Sequence, residues 1–195
     1  MAAVLTNIGT QTRTRLAEVE TARLRLRPFT LEDIDGLWRI ASDPEVMRYI
    51  GDGVPFTREE TLSNLTNIVN VSERRGYGRW ALEKKEGGGL IGYCGLACGS
   101  EEVGVELVYL LARAEWGKGI VNEAAWASLR YGFESLGFDS IAAVTRPDNW
   151  PSRRVMERLG MKFERAAFYH GYSCVCYRLA REDCSPPDGA IYRVR

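Results

Sequence analysis

Trp116-Gly117-Lys118-Gly119-Ile120-Val121-Asn122-Glu123-Ala124-Ala125 is the stretch on which the reading of this 195-residue chain turns. It follows Glu106-Leu107-Val108-Tyr109-Leu110-Leu111, which reads as a strand. It opens a run in which Ile120, Ala124, Ala127 and Tyr131 recur at helical spacing, with Val121, Ala125, Leu129 and Leu136 beside them. Glycines at a strand-to-helix handover let the chain turn tightly. They also bring bare N–H groups, with the positive end of the helix dipole, against a phosphate. Neither nucleotide motif is complete. A dinucleotide fingerprint needs glycine where Asn122 stands, and a P-loop needs Lys-Ser or Lys-Thr after its last glycine and a further glycine in place of Ala112. Taken alone, the two glycines serve equally well as a plain turn.

Working outward, Leu24 and Leu26 alternate with Arg23, Arg25 and Arg27 before Pro28, the period of a half-buried strand. Thr30-x-x-Asp33 resembles a capping box, and Ile34, Leu37, Trp38 and Ala41 then recur at helical spacing. Thr57-Arg58-Glu59-Glu60 opens a second helix through Leu62, Leu65, Ile68 and Val69, stopped by Gly76. Residues 80–85, 90–98 and 103–111 read as strands separated by Gly87-Gly88-Gly89 and Gly99-Ser100. Gly137 ends the helix begun at Gly119. Residues 141–144 read as a buried strand, 152–159 as a short helix closed by Gly160, and 163–169 and 173–179 as final strands. The order β-α-α-β-β-β-α-β-α-β-β predicts an α/β fold with seven strands of mixed direction and about four helices. Residues 1–18 are expected to be an N-terminal arm, 19–181 a single domain and 182–195 a tail. Within the tail, Ser185-Pro186-Pro187-Asp188-Gly189 resists packing, whereas residues 190–194 alternate as an added strand would.

Composition narrows the classes. With 26 Lys+Arg against 26 Asp+Glu and 45% hydrophobic residues, the chain suits a globular domain and not one built to neutralise nucleic-acid phosphates. A Ser-His-Asp or Cys-His mechanism would have to run through the single histidine, His170. Cys94, Cys98, Cys174, Cys176 and Cys184 lack zinc-ribbon spacing and read as reduced thiols of a cytoplasmic protein, with no metal expected. No run approaches the ~18 apolar residues of a membrane span.

Further motifs agree with the glycine stretch. The run 106–111, Trp116-Gly117-Lys118-Gly119, Glu123-Ala124, Leu136-Gly137 and Asn149-x-x-Ser152-x-Arg154-Val155-Met156-Glu157-x-Leu159-Gly160-Met161 together resemble the GNAT superfamily of acyl-CoA N-acyltransferases. Thr21-x-Arg23-Leu24-x-Leu26-Arg27-Pro28 and Asp43-Pro44-Glu45-Val46-Met47-Arg48-Tyr49 are similar to its RimJ/RimL-type branch, the ribosomal-protein alanine N-acetyltransferases. The resemblance covers about residues 20–181 and implies a single GNAT domain whose sheet is mostly antiparallel and splayed at its centre. It implies acetyl-CoA as cosubstrate, its pyrophosphate on the N–H groups of Gly117, Lys118, Gly119, Ile120 and Val121 with Arg113 nearby. The pantetheine then runs along Val108, Tyr109 and Leu110 as an added strand would, and Asn149 and Ser152 border the thioester. Two departures stand out. Ala114 occupies a place where the superfamily often has Gln or Arg, and Val108 replaces a glycine common in the branch.

Acyl transfer to an amine needs a neutral amine, a stabilised carbonyl oxygen and a proton for the departing thiolate. On the resemblance, Glu106 is the general base or the anion that holds a cationic amine. Ser152 or a tyrosine protonates the thiolate, a backbone N–H near Val108 meets the oxyanion, and Tyr169 and His170 face the acceptor. The acceptor is expected to be a protein N-terminus, ribosomal or otherwise, or a small cationic amine, with no direct nucleic-acid or membrane contact and a homodimer left open. Two other readings predict different ligands: a CoA-binding module without turnover, and a nucleotide-binding Rossmann protein. Charge is unevenly spread, nine acids to three bases over residues 31–73 and eight bases to three acids over 146–181. In the implied fold this favours a positively charged acceptor beside the acidic segment.

Overall fold

The computed structural model describes residues 16–187 and 189–195. The chain enters through β1 (Val19–Glu20) and β2 (Leu24–Pro28), then forms α1 (Ile34–Ala41), α2 (Pro44–Met47) and α3 (Arg58–Arg75). It continues through β3 (Arg79–Lys84), β4 (Leu90–Cys98) and β5 (Val105–Leu111), crosses over by α4 (Ile120–Arg130) to β6 (Ser140–Thr145), and passes through α5 (Trp150–Arg158). β7 (Lys162–Tyr169), β8 (Tyr172–Ala180) and β9 (Arg193–Val194) complete the sheet. Its order is β7-β8-β6-β5-β4-β3-β2-β1-β9, and the β5–β6 pair alone is parallel. Parallel neighbours need a crossover connection, and α4 supplies it.

The α/β class with one mixed, mostly antiparallel sheet matches the expectation, but the described residues form nine strands and five helices where seven and about four were predicted. The additions are too short to carry a period. β1 and β9 have two residues each, and α2 is one turn, held by the Asp43 carboxylate accepting the Glu45 N–H at 2.9 Å. The strand predicted from residue 103 starts at Val105, because the Val103 and Gly104 N–H groups turn back to the Ser100 carbonyl. The helix predicted to run to Leu136 is regular to Arg130 and widens over Tyr131–Ser135. α5 begins at Trp150, two residues early, since Asn149 caps it.

Period-2 alternation decides which side chains meet which layer. On one face Leu24, Leu26, Trp80, Leu82, Leu96, Leu107, Ile141 and Leu179 pack against Ile120, Ala124, Ala127 and Leu129 of α4 and Met156 of α5. On the other, Ala81, Tyr93 and Leu110 meet Leu37 and Ile40 of α1, Val46 of α2, and Leu65 and Ile68 of α3. Each fully buried Leu or Ile contributes roughly 1.5–3 kcal/mol of transfer free energy. Among the described helices none is long and apolar enough to cross a membrane.

Packing extends beyond the expected 19–181 span. Leu16 is buried and the Ala17 carbonyl accepts the Trp80 indole N–H at 2.7 Å; residues 1–15 of the expected arm lie outside the described residues. The tail folds back as well. β9 pairs with β1, so the alternating segment adds to this chain's own sheet, and the Arg130 guanidinium sits 4.4 Å from the Tyr192 ring centroid.

Gly95 pairs with Arg79 on β3 and Val108 on β5. A Cβ there would stand 2.2 Å from the Gly78 carbonyl oxygen, which already accepts the Leu96 N–H at 2.9 Å. The Arg79 Cα, at 2.7 Å, is also in the way, and such backbone atoms cannot give way. Gly95→Ala is therefore expected to cost about 1–3 kcal/mol by overpacking. At roughly 2–4 °C per kcal/mol for a chain of this size, thermal denaturation followed by circular dichroism should show Tm lowered by several degrees.

Candidate active site

The glycine stretch forms the loop between β5 and α4. Gly117 and Gly119 both have φ of +73°, a conformation that costs L-residues steric strain. A Cβ on Gly117 would meet nothing within 4 Å, so its surface is open. Gly119 is the N-cap of α4 and offers no side chain to the first-turn N–H groups, those of Ile120 and Val121 among them. α5 differs: the Asn149 carbonyl oxygen accepts the Ser152 N–H at 3.3 Å, while its amide donates to Thr145 Oγ1 at 2.9 Å. Of the two helix starts that follow the parallel strands, α4 presents donors without a side-chain cap, at the end where the dipole favours an anion.

Two residues from the start of the chain, Thr21 and Arg23, brace this loop. Glu123 on α4 accepts from Thr21 Oγ1 at 2.6 Å, from the Arg23 N–H at 2.8 Å and from Arg23 Nε at 2.6 Å. Arg23 also donates to the Lys118 carbonyl at 3.0 Å. Burial pushes the Glu123 carboxyl upward, but the Thr21 and Arg23 hydrogen bonds outweigh it and hold the group below its ordinary value. Lys118 Nζ and Lys84 Nζ pair with Glu115, at 3.2 and 2.8 Å, and Arg113 is exposed at the same turn.

Beside the loop the sheet opens. β5 and β6 share one register pair, Glu106 with Ala142, and then part. Val108, Tyr109 and Leu110 pair on the other side with Gly95, Cys94 and Tyr93 of β4, which leaves their β6-facing edge without a strand. α5 lies beside this opening, where the Tyr109 hydroxyl and Ser152 Oγ are 2.7 Å apart. Burial raises the Tyr109 phenol well above its ordinary value.

Glu106 stands where the two strands part and is 8% exposed. Tyr169, at the end of β7, donates its hydroxyl to Glu106 Oε2 at 2.9 Å. Burial lifts the Glu106 carboxyl above the usual range, partly offset by the Tyr169 hydrogen bond and the nearby positive charge of Arg79. His170 follows in the β7–β8 turn, exposed and with φ of +49°; its ring lies 4.2 Å from that of Tyr169. With Gly171 also at positive φ, it forms the two-residue loop whose twist suits a tight hairpin.

The structure thus brings Glu106 and Tyr169 together, and separately Tyr109, Asn149 and Ser152, while Gly117–Val121 form the loop at the end of the opening. Sequence reasoning did not assign the Thr21, Arg23 and Glu123 brace, although all three lie inside quoted motifs. It also missed the segment after α2, where the Tyr49 hydroxyl donates to the Asp148 carbonyl at 3.3 Å and Arg146 donates to the Gly51 carbonyl. Nothing local marks residues so distant in sequence as neighbours. The acidic segment, expected to draw a cation, has local partners for many of its charges. Asp33 pairs with Arg27 and Asp35 with Arg58, while Asp43, Asp52 and Glu60 accept backbone N–H groups. Among the described residues no group of three or more His, Cys, Asp or Glu side chains could hold a metal ion.

Comparison with known proteins agrees with this geometry. Residues 23–162 match the sequence profile of the acetyltransferase (GNAT) domain. An uncharacterized N-acetyltransferase, p20 of Bacillus licheniformis, is 36% identical over 146 residues, covering 74% of this chain and 82% of that protein. The crystal structure of a GNAT-family acetyltransferase from Bacillus anthracis superposes with a TM-score of 0.74 at 27% identity, over 85% of this chain and 99% of that one. RimL, a ribosomal L7/L12 α-N-protein acetyltransferase solved with coenzyme A, shares the fold with a TM-score of 0.68 at 16% identity, over 83% of this chain and 98% of its own. The chain therefore belongs to the GNAT family of acetyltransferases, enzymes that take acetyl-CoA as cosubstrate.

Proposed function

We propose that the protein transfers acetyl from acetyl-CoA directly to a primary amine, a protein N-terminus or a small molecule, in a ternary complex. The observation that carries this reading is the opening between β5 and β6 after a single pair, with the glycine loop at one end and the buried Glu106 at its apex. The N–H groups of Gly117, Lys118, Gly119, Ile120 and Val121 hold the pyrophosphate, and Arg113 adds a positive charge at the loop. The β6-facing edge of Val108, Tyr109 and Leu110 takes the pantetheine amides as a further strand.

In the reaction the amine nitrogen bonds to the thioester carbon and the carbon–sulfur bond breaks. Glu106, directly or through one water, receives the proton that the amine loses, and the Tyr109 and Ser152 hydroxyl pair delivers a proton to the departing thiolate. A backbone N–H near Val108 meets the carbonyl oxygen as charge builds on it. Asn149 fixes the first turn of α5 and with it Ser152. Tyr169 and His170 border the acceptor, Tyr169 also orienting the Glu106 carboxylate. The RimL likeness supports an acceptor that is a protein α-amine; the cofactor side of the site serves any primary amine equally.

Variants at Gly119 and Glu106 test these assignments. Gly119→Asp places a carboxylate at the α4 start and is expected to abolish acetyl-CoA binding in calorimetry while the circular dichroism spectrum is kept; undiminished affinity would remove the loop from the cofactor site. For Glu106 the raised carboxyl value means the base form is lost as pH falls through a point above the ordinary glutamate range. kcat/KM should therefore drop on the acid side there, and Glu106→Gln should lower kcat by about 10²–10⁴-fold and remove that limb. The same shift fixes the stability effect. A carboxyl whose folded value is raised favours the protonated protein, so the charged form weakens the fold as pH rises through the shifted value. Glu106→Gln is accordingly expected to show Tm at neutral pH no lower than that of the unaltered protein.

A further inference from the structure

Arg79 opens β3 on the same face of the sheet as Glu106. The register places Arg79 opposite Gly95, Gly95 opposite Val108 and Ala97 opposite Glu106, while Ala81 faces Tyr93. The side chains of Arg79, Tyr93, Val108 and Glu106 therefore share one face, and the position between Arg79 and Val108 is a glycine. The Arg79 guanidinium carbon lies 5.4 Å from the Tyr93 ring centroid. Its Nε is buried, with no hydrogen-bond partner among the described residues. Glu106 feels the Arg79 charge, but its carboxylate is hydrogen-bonded to the Tyr169 hydroxyl.

A guanidinium stays ionised and carries five N–H donors in a planar fork. Leaving such a donor buried and unfilled costs free energy, of which a cation–π contact offsets only part. The ligand that fills the fork best is a planar oxygen anion, which can accept two parallel N–H bonds.

The surrounding charges point the same way. Arg146 at the end of β6 stacks 4.2 Å from the Tyr172 ring centroid, and both Arg146 and Glu106 act on the buried Cys174 thiol. Arg146 is engaged by the Gly51 carbonyl and the Tyr172 ring, and Arg79 is the guanidinium whose charge reaches Glu106. An acceptor carrying only an amine would leave the buried Arg79 Nε unfilled. An acceptor carrying an amine and a carboxylate could set the amine at Glu106 and the carboxylate on Arg79.

Building on the transfer reaction proposed above, we infer that Arg79 is a specificity-determining residue that binds an oxygen anion on the acceptor, so that the preferred substrates are amines bearing a carboxylate close to the nitrogen. Free amino acids and peptides with an acidic N-terminal residue share this chemistry.

The test measures thiol release with matched acceptors: free amino acids against their decarboxylated amines, and peptides beginning with Asp against the same peptides beginning with Asn. The carboxylate-bearing member of at least one set is expected to have a kcat/KM about tenfold or more higher, the size expected of a hydrogen bond to a charged group. In Arg79→Met the ratio should collapse to about one, chiefly through KM, with Arg79→Lys intermediate and acetyl-CoA affinity kept in both. Preference in the first set alone identifies a free amino acid as the acceptor, and in the second alone a peptide. Transfer to both members of every pair at equal efficiency would overturn the inference while leaving the acetyltransferase reading intact. An undiminished ratio in Arg79→Met would overturn it too. Acetyl-CoA binding without transfer to any amine would overturn both readings.

Discussion

The structure depends on one constraint at its centre: β5 and β6 run parallel but pair only at Glu106 and Ala142. Each residue beyond that pair forgoes ladder hydrogen bonds that a continuous sheet would have made, and exposes donors and acceptors that need partners. The separation is held from outside. β4 and β5 stay in register from Gly92–Leu111 to Cys98–Val105, β6 is paired along its other edge with β8, and α4 and α5 pack against the sheet on one face. Two well-paired half-sheets thus meet at a seam that opens, and an extended ligand bearing amides can occupy it as a strand would.

The helices that follow β5 and β6 start near this seam, and their first turns are treated differently. α5 spends its N-terminal donors on its own Asn149. α4 has a glycine there, so its donors have no side-chain cap and the loop that carries them is not stabilised by one. Its order comes from afar, from Thr21 and Arg23 gripping Glu123 and the Lys118 carbonyl. Because Glu123 is partly buried and accepts charge-assisted bonds, the brace is worth more than an exposed ion pair. The glycine loop and the first strands are consequently one mechanical unit.

On the opposite face the seam meets a patch of opposed charges. Burial of Glu106 disfavours its ionised form, and the Tyr169 hydroxyl together with the Arg79 charge limits the shift. The same burial works against the fold, as functional sites commonly do. In the acidic segment nearby, Asp33 and Asp35 are engaged in ion pairs and Asp43, Asp52 and Glu60 accept backbone N–H groups.

Much of this was legible in the chain itself. Local patterns determine the strands of five or more residues, α1, α3, α4 and α5, and the glycine loop, because periodicity, caps and positive-φ glycines act over a few residues. Ordered motifs from residue 106 to 161 carry the family and, with it, acetyl-CoA. What only the tertiary structure decided is everything that depends on pairing at a distance. One-turn and two-residue elements such as α2, β1 and β9 have no period to read. Burial of Glu106 beneath Tyr169, the Thr21 and Arg23 grip on Glu123, and the meeting of Arg79 with Tyr93 and Glu106 join residues whose neighbourhood is fixed by sheet register. Register is set by the packing of whole faces, and no single stretch of sequence contains it.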